Sequence, residues 1–217
     1  SMTGTTRNQG HIIIVDDDAG IRNALDSLLR AEGFSVSAFS DPLQFLKAGV
    51  PQGPCCLLLD VKLGTVNGLD IQDEINNAQL GIPVIMMTGH GTMPMAVRGM
   101  KAGAIDFLAK PFSDEILLHA ITEGLNLWQH NKMQEQVACE AKRNFSSLSV
   151  REREVMGLAI AGLLNKQIAD HLGLSIVSIK IHRASVMKKM KTRSFADLVR
   201  LGELLGIRDP SIKRYKA

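Results

Sequence analysis

The stretch His11–Asp18, which reads HIIIVDDD, indicates the fold class of the first half of the chain. Its apolar run is rich in β-branched residues and does not alternate with polar ones, which is typical of a strand covered on both faces. The run Cys55–Asp60, CCLLLD, repeats the arrangement of an apolar strand that ends in aspartate. Strands covered on both faces belong to parallel sheets, so both segments predict an α/β fold.

Strand and helix patterns alternate outward from these two segments. Further strands are predicted at Phe34–Phe39, Pro83–Met87 and Ile105–Ala109, and each strand is followed by a helical pattern. One of these helices is predicted to begin with Asp41 as its cap and Pro42 as its first helical residue. Five strand–helix units in about 120 residues predict a parallel sheet with helices on both faces.

The overall composition is that of a globular protein. The 217 residues are 45% hydrophobic and 22% charged, which suggests one or two domains. The apolar runs are far shorter than the about 20 residues that a bilayer requires, and Ser1–Gly10 lacks a signal-peptide core, so no membrane association is expected. Three cysteines give no disulfide framework, which favours the cytoplasm. Ser1 before Met2 is interpreted as the remnant of a tag.

Charge divides the chain into unlike halves. Residues 1–124 contain 8 Lys and Arg against 14 Asp and Glu, whereas residues 146–217 contain 14 against 6. An acidic half followed by a basic half suggests two domains with different partners. The basic half points to nucleic acid, with a solvated basic surface as the alternative.

Polar residues follow four of the predicted strands. Asp16 and Asp17, Asp60, Thr88 and Lys110 all stand at carboxyl ends, which meet at one edge of a parallel sheet. Crowded carboxylates repel one another, and Mg²⁺ relieves that repulsion with oxygen ligands. Such a site can receive a phosphoryl group, with the lysine and the hydroxyl contacting its oxygens. Taken singly, each residue has a plainer interpretation as a helix cap or a solvated side chain.

The first ~125 residues resemble the receiver domain of two-component response regulators. The matching segments are Val15–Asp18, Leu58–Val61, Met87–Gly91 and Lys101–Phe112. The resemblance implies a flavodoxin-like, doubly wound, five-stranded parallel sheet and a Mg²⁺ cofactor.

The same resemblance implies roles for individual residues. Asp60 would be the aspartate that a sensor histidine kinase phosphorylates. The Mg²⁺ ligands would be Asp16, Asp17, Asp60 and the backbone carbonyl of Lys62. Thr88 and Lys110 would contact the phosphoryl group, and Phe107 would be an aromatic switch residue, with an ordinary core residue of the strand as the alternative.

One position departs from the receiver pattern. Four residues after Asp60 the family usually has proline, whereas this chain has Gly64. Glycine leaves the backbone freer than proline does, so the loop is expected to be less rigid, with the Lys62 carbonyl less well placed for a metal.

The sequence pattern of the basic half predicts a compact helical bundle. Ser149 and Glu152 form a capping-box pattern, Gly162 ends that helix, and Asn165 is interpreted as the cap of a second helix. Ser175 begins a third helix, and Phe195–Leu205 supplies a fourth. This order predicts a helix-turn-helix.

Residues Phe145–Ile207 resemble the LuxR-type four-helix DNA-binding domain. The matching segments are Leu148–Val155, Gly162, Asn165–Ala169 and Ser178–Arg183. A receiver followed by this domain is the combination of the FixJ/NarL response regulators. The resemblance implies that Ser175–Met190 is the recognition helix. Its groove-facing residues would be Lys180, Ile181, Arg183 and Ala184, and the phosphate contacts would come from Lys166, Lys188, Lys189 and Arg193.

The chain is therefore interpreted as a tag and flexible N-terminus (1–10), a receiver domain (11–128), a helical linker (129–144) and an all-α DNA-binding domain (145–217). Phosphorylation on Asp60 would control homodimerisation and binding to double-stranded DNA. RNA polymerase is a further expected partner, and no enzymatic activity is expected.

Three alternatives remain at this point. A phosphatase or phosphotransferase could use Asp60 as nucleophile, although Lys62 stands where such enzymes have a second aspartate. A phosphate-independent scaffold is suggested by Gly64 alone. A flavin-binding protein has a similar sheet, but no phosphate-binding loop follows the first strand.

Overall fold

The computed structural model describes residues 10–63, 66–78, 80–89 and 93–212. The chain divides into two compact units, Ser1–Lys132 and Met133–Ala217. The predicted flexible N-terminus, except Gly10, and the predicted effect of Gly64 lie outside the described residues. Within the described residues, no helix combines the length and the apolar character needed to cross a membrane.

The predicted parallel sheet is confirmed in the first unit. Its strands are β1 (His11–Val15), β2 (Ser35–Phe39), β3 (Cys55–Asp60), β6 (Val84–Thr88) and β7 (Asp106–Ala109). They lie in the order β2-β1-β3-β6-β7, and every neighbouring pair is parallel. Between β3 and the next helix lie two short antiparallel strands, β4 (Lys62–Leu63) and β5 (Val66–Asn67).

Helices cover both faces of the sheet, as the continuous apolar strands require. They are α1 (Ala19–Ala31), α2 (Pro42–Ala48), α3 (Gly68–Asn77), α4 (Met93–Lys101) and α5 (Asp114–Ser146). Strand β3 shows the two-sided burial most clearly. Cys55, Leu57 and Leu59 belong to the core on one face, and Cys56 and Leu58 belong to the core on the other.

Helix α5 is continuous from Asp114 to Ser146, so the segment 129–144, predicted to be a helical linker, is helical throughout. The boundary between the two units falls inside this helix, between Lys132 and Met133.

The described part of the second unit, up to residue 212, contains four further helices: α6 (Val150–Ile160), α7 (Asn165–Leu172), α8 (Ile176–Lys189) and α9 (Phe195–Leu205). The Ser149 hydroxyl accepts from the Glu152 N–H, and the Glu152 side chain accepts from the Ser149 N–H, so the predicted capping box is present. Asn165 is not the cap of α7, because Leu164 occupies that position and Asn165 is the first helical residue. Gly173 ends α7 with a positive φ of 66°, which favours glycine.

Candidate functional site

The carboxylates predicted to meet at the sheet edge do meet there. Strands β1 and β3 are neighbours in the middle of the sheet, with Val15 opposite Leu59, so the next residues, Asp16 and Asp60, lie side by side. Asp16 is 0% exposed and Asp60 is 6% exposed, whereas Asp17 is open to solvent. One carboxylate oxygen from each of the three lies within 4.8 Å of the others.

Lys110, the residue after β7, supplies the positive charge of this cluster. Its Nζ lies 2.7 Å from Asp16 Oδ2 and 3.4 Å from Asp60 Oδ2. Burial by itself lowers the pKa of Lys110, but the hydrogen bond and charge of Asp16, together with Asp60, outweigh it and raise the pKa. The lysine therefore stays charged where the two buried carboxylates meet.

Opposing influences act on Asp60. Burial raises the pKa of its carboxyl group, and the Asp16 carboxylate raises it further. The N–H of Lys62, 3.0 Å from Asp60 Oδ1, and the Lys110 ammonium act in the other direction, but the net pKa remains raised. A positive charge added beside Asp60 would therefore stabilise the ionised form of its carboxyl group.

Gly68 keeps the Asp60 strand end close to helix α3. A Cβ added at Gly68 would lie 2.4 Å from the Asp60 carbonyl oxygen and 2.8 Å from Val61 Cα. The Gly68 N–H donates to the Val61 carbonyl at 2.6 Å. Only glycine fits this approach, a role that the motif spacing did not reveal.

Thr88 and Phe107 lie on the two strands beyond β3. Thr88 ends β6 and is buried, and its carbonyl accepts from the Lys110 N–H at 2.6 Å, which ties the two strand ends together. Phe107 on β7 pairs with Met86 and is half-buried against the core that contains Met86. An added Cβ at Gly99 of α4 would lie 3.5 Å from the Phe107 ring, so the ring packs close to that helix. The switch role of Phe107 stays a prediction.

The donor set suits a small hard cation. Asp16, Asp17 and Asp60 offer oxygen ligands only, and the exposed Asp17 leaves room for the water ligands that Mg²⁺ retains. The same arrangement can hold a phosphoryl group, because Lys110 provides a compensating charge at hydrogen-bond distance from the Asp60 carboxylate.

In the second unit, helix α8 has two opposite faces. Ile179 and Val186 are buried in the bundle. The outward face is formed by exposed residues at helical spacing: Val177, Lys180, Ile181, Ala184 and Lys188. Of the predicted groove-facing residues, Lys180, Ile181 and Ala184 lie on this outward face.

Arg183, the fourth of those residues, is held within the bundle. Its Nη1 donates to Asn165 Oδ1 at 2.8 Å, and its guanidinium lies 4.8 Å from the centre of the Phe195 ring. The side chain therefore joins α8 to the beginnings of α7 and α9. Sequence reasoning missed this contact because the three residues lie far apart in the chain.

Lys189 is likewise engaged, on the other flank of α8. Its Nζ lies 2.7 Å from Oε1 of the buried Glu152, whose other oxygen accepts from the Ser185 hydroxyl. The hydrogen bonds from Lys189, Ser149 and Ser185 lower the pKa of Glu152 to about 2. The capping box of α6 is thus also the anchor of α8. Lys166, Lys188 and Arg193, the other predicted phosphate contacts, are exposed.

Comparison with known proteins gives two family matches. Residues 12–122 match the response regulator receiver domain, and residues 146–201 match the bacterial regulatory proteins of the luxR family.

Similar proteins extend over nearly the whole chain. Nodulation protein W of Bradyrhizobium diazoefficiens is 43% identical over 196 residues, 90% of this chain and 86% of that protein. Transcriptional regulatory protein FixJ of the same organism is 40% identical over 201 residues, 92% of this chain and 97% of that protein. The low-resolution structure of the response regulator StyR is 42% identical with a TM-score of 0.73, covering 89% of this chain and 98% of that one.

Proposed function

Because the chain belongs to the FixJ/NarL group of response regulators, we propose that phosphorylation of Asp60 controls its binding to DNA. The chain is a two-component transcriptional regulator with a receiver domain and a LuxR-type DNA-binding domain. The observation that carries the proposal is the buried Asp60 carboxylate beside Asp16, with the Lys110 ammonium lying between the two carboxylates. A histidine kinase is the expected phosphoryl donor.

In the proposed transfer, an Asp60 carboxylate oxygen forms a bond to phosphorus as the bond from phosphorus to the donor nitrogen breaks. The Lys62 N–H orients one oxygen of the carboxylate, and Lys110 compensates the charge of the phosphoryl oxygens. Asp16, Asp17, Asp60 and the Lys62 carbonyl would hold Mg²⁺. When bound, Mg²⁺ supplies further positive charge for the carboxylates and the phosphoryl group.

The response of the receiver is proposed to pass through Thr88 and Phe107. A phosphoryl group that binds the Thr88 hydroxyl draws the end of β6 toward Asp60, and Lys110 follows because its N–H is bonded to the Thr88 carbonyl. A rearranged β6 end favours an inward position of the Phe107 ring. Phosphorylation thereby shifts the population between two receiver conformations.

The shifted population is proposed to favour a homodimer that reads double-stranded DNA. Helix α8 would enter the major groove, and the two copies would contact half-sites about one helical turn apart. RNA polymerase is the proposed partner at the promoter, and the cytoplasm, where bacterial DNA lies, is the proposed location.

The test compares wild type with Asp60→Asn and with the control Asp70→Asn, which removes the same charge from an exposed position on α3. With acetyl phosphate and Mg²⁺, wild type and the control are expected to dimerise, as measured by size-exclusion chromatography with light scattering. Asp60→Asn is expected to remain monomeric while keeping weak DNA binding. Phosphate-induced dimerisation of Asp60→Asn equal to that of wild type would refute the assignment of Asp60.

A further inference from the structure

Two large apolar side chains lie uncovered on the outward face of helix α8. Val177 is 66% exposed and Ile181 is 63% exposed, one helical turn apart. They project away from the side of α8 that buries Ile179 and Val186. The bundle therefore gains little hydrophobic stabilisation from either side chain.

Helix formation does not account for these residues either. β-Branched side chains lose rotamer freedom in a helix, so alanine or lysine at both positions would favour α8 more. An apolar pair that contributes neither to the core nor to the helix is expected to contact a partner.

The surroundings indicate which partner this is. Lys180 and Lys188 are exposed on the same face, and Ala184 lies between them as a small side chain that permits close approach. No acidic residue occurs from Ser175 to Lys191. A face that combines lysines with apolar groups is complementary to the major groove, which presents phosphates at its borders and thymine methyl groups on its floor.

We propose that Val177 and Ile181 select thymine by packing against the C5 methyl groups of two bases in the major groove. This inference rests on the proposed placement of α8 in the groove, and it adds Val177 and the identity of the base. Residues four apart in a helix are separated by about 6 Å along its axis, and base pairs by about 3.4 Å. The two methyl groups are therefore expected one or two base pairs apart.

The experiment uses the full chain activated with beryllofluoride. High-affinity duplexes are first selected from a random pool, and each thymine of the selected sequence is then replaced singly by deoxyuridine, which removes only the methyl group. At two positions one or two base pairs apart, wild type is expected to lose about three- to fivefold in affinity per methyl. The Val177→Ala variant is expected to lose its sensitivity at one position, and Ile181→Ala at the other.

Two further variants separate methyl recognition from other effects. Lys180→Ala is expected to weaken binding but to keep both uracil effects, because it leaves the apolar pair intact. Val177→Thr, which retains one methyl group of the side chain, is expected to keep part of the effect.

Equal binding of thymine and uracil duplexes by wild type would overturn the proposal, as would undiminished uracil effects in both alanine variants. Unchanged DNA binding by Val177→Ala and Ile181→Ala would assign the outward face to a protein partner and would also overturn it. If selection yields no preferred sequence at all, the placement of α8 in the groove fails, and this inference fails with it.

Discussion

Replacing Glu152 by glutamine tests whether the α6 capping box anchors helix α8. Glu152 is 4% exposed and receives hydrogen bonds from the Ser149 N–H, the Ser185 hydroxyl and the Lys189 ammonium. Glutamine has nearly the same shape but no charge, so the variant removes the ion pair while changing the packing little.

The expected magnitude follows from the pKa of Glu152, which these contacts lower from 4.5 to about 2. At full value this lowering corresponds to ~3 kcal/mol. Because the Lys189 side chain is 40% exposed, solvent screening reduces the contribution, and we expect Glu152→Gln to destabilise the second unit by about 1–2 kcal/mol at pH 7.

The sign of the pH dependence is also determined. A carboxyl group whose pKa is lower in the folded state stabilises the fold above its unfolded pKa of 4.5 and loses that contribution as the pH falls toward 2. The difference between wild type and Glu152→Gln should therefore be complete at pH 7 and reduced by more than half at pH 3.

Amide hydrogen exchange of α6 and α8 peptides in the full chain, corrected for intrinsic exchange rates, measures this difference. Glu154→Gln is the matched control, since Glu154 forms an exposed ion pair with Arg151 on the same helix. It should change the opening free energy by less than ~0.5 kcal/mol. Exchange of Glu152→Gln equal to that of wild type at pH 7, or a difference that is unchanged at pH 3, would refute the proposed anchor.

Further substitutions address the sheet-edge site and the DNA-binding helix. Lys110→Ala removes the compensating charge beside Asp60 and should reduce acetyl-phosphate-driven dimerisation at least tenfold, whereas Lys101→Ala, at an exposed position, should dimerise normally. If light scattering finds that Lys110→Ala dimerises as wild type does, the proposed role of the lysine is contradicted. Lys180→Ala should alter sequence preference by about 1–3 kcal/mol at one base position, whereas Lys188→Ala should weaken all sequences alike and lower the salt slope by about 1. Salt titrations on selected and random duplexes check this division between a base contact and a phosphate contact. Equal losses of affinity for both variants on both kinds of duplex would contradict it.

The meeting of the carboxylates at the sheet edge could be inferred from the sequence because their positions follow from the topology. Asp16 and Asp60 each come directly after a buried strand, and parallel neighbours bring such residues to one edge. The distance of Lys110 from each carboxylate could not be inferred, because it depends on how a long flexible side chain settles between Asp16 and Asp60.

Contacts between distant helices account for most of what sequence reasoning missed. The family resemblance implies that Arg183 faces the groove, but its guanidinium contacts Asn165 and Phe195, which belong to other helices. The capping-box pattern identified Glu152 as a local cap. Its second role, as the anchor of α8, depends on contacts with Ser185 and Lys189. Their spacing of four indicates that these two residues share one face of α8, but nothing in the sequence pattern connects that face to α6.

Phosphorylation of Asp60 is tested most directly by locating the phosphoryl group itself. The full chain is incubated with acetyl phosphate, with Mg²⁺ or with a chelator, and the modified residue is mapped by mass spectrometry after reduction of the acyl phosphate with borohydride. We expect one phosphoryl group, on Asp60, formed with Mg²⁺ and strongly diminished by the chelator. A modification that maps to another residue, or that forms to the same extent in Asp60→Asn, would contradict the proposed control of this regulator.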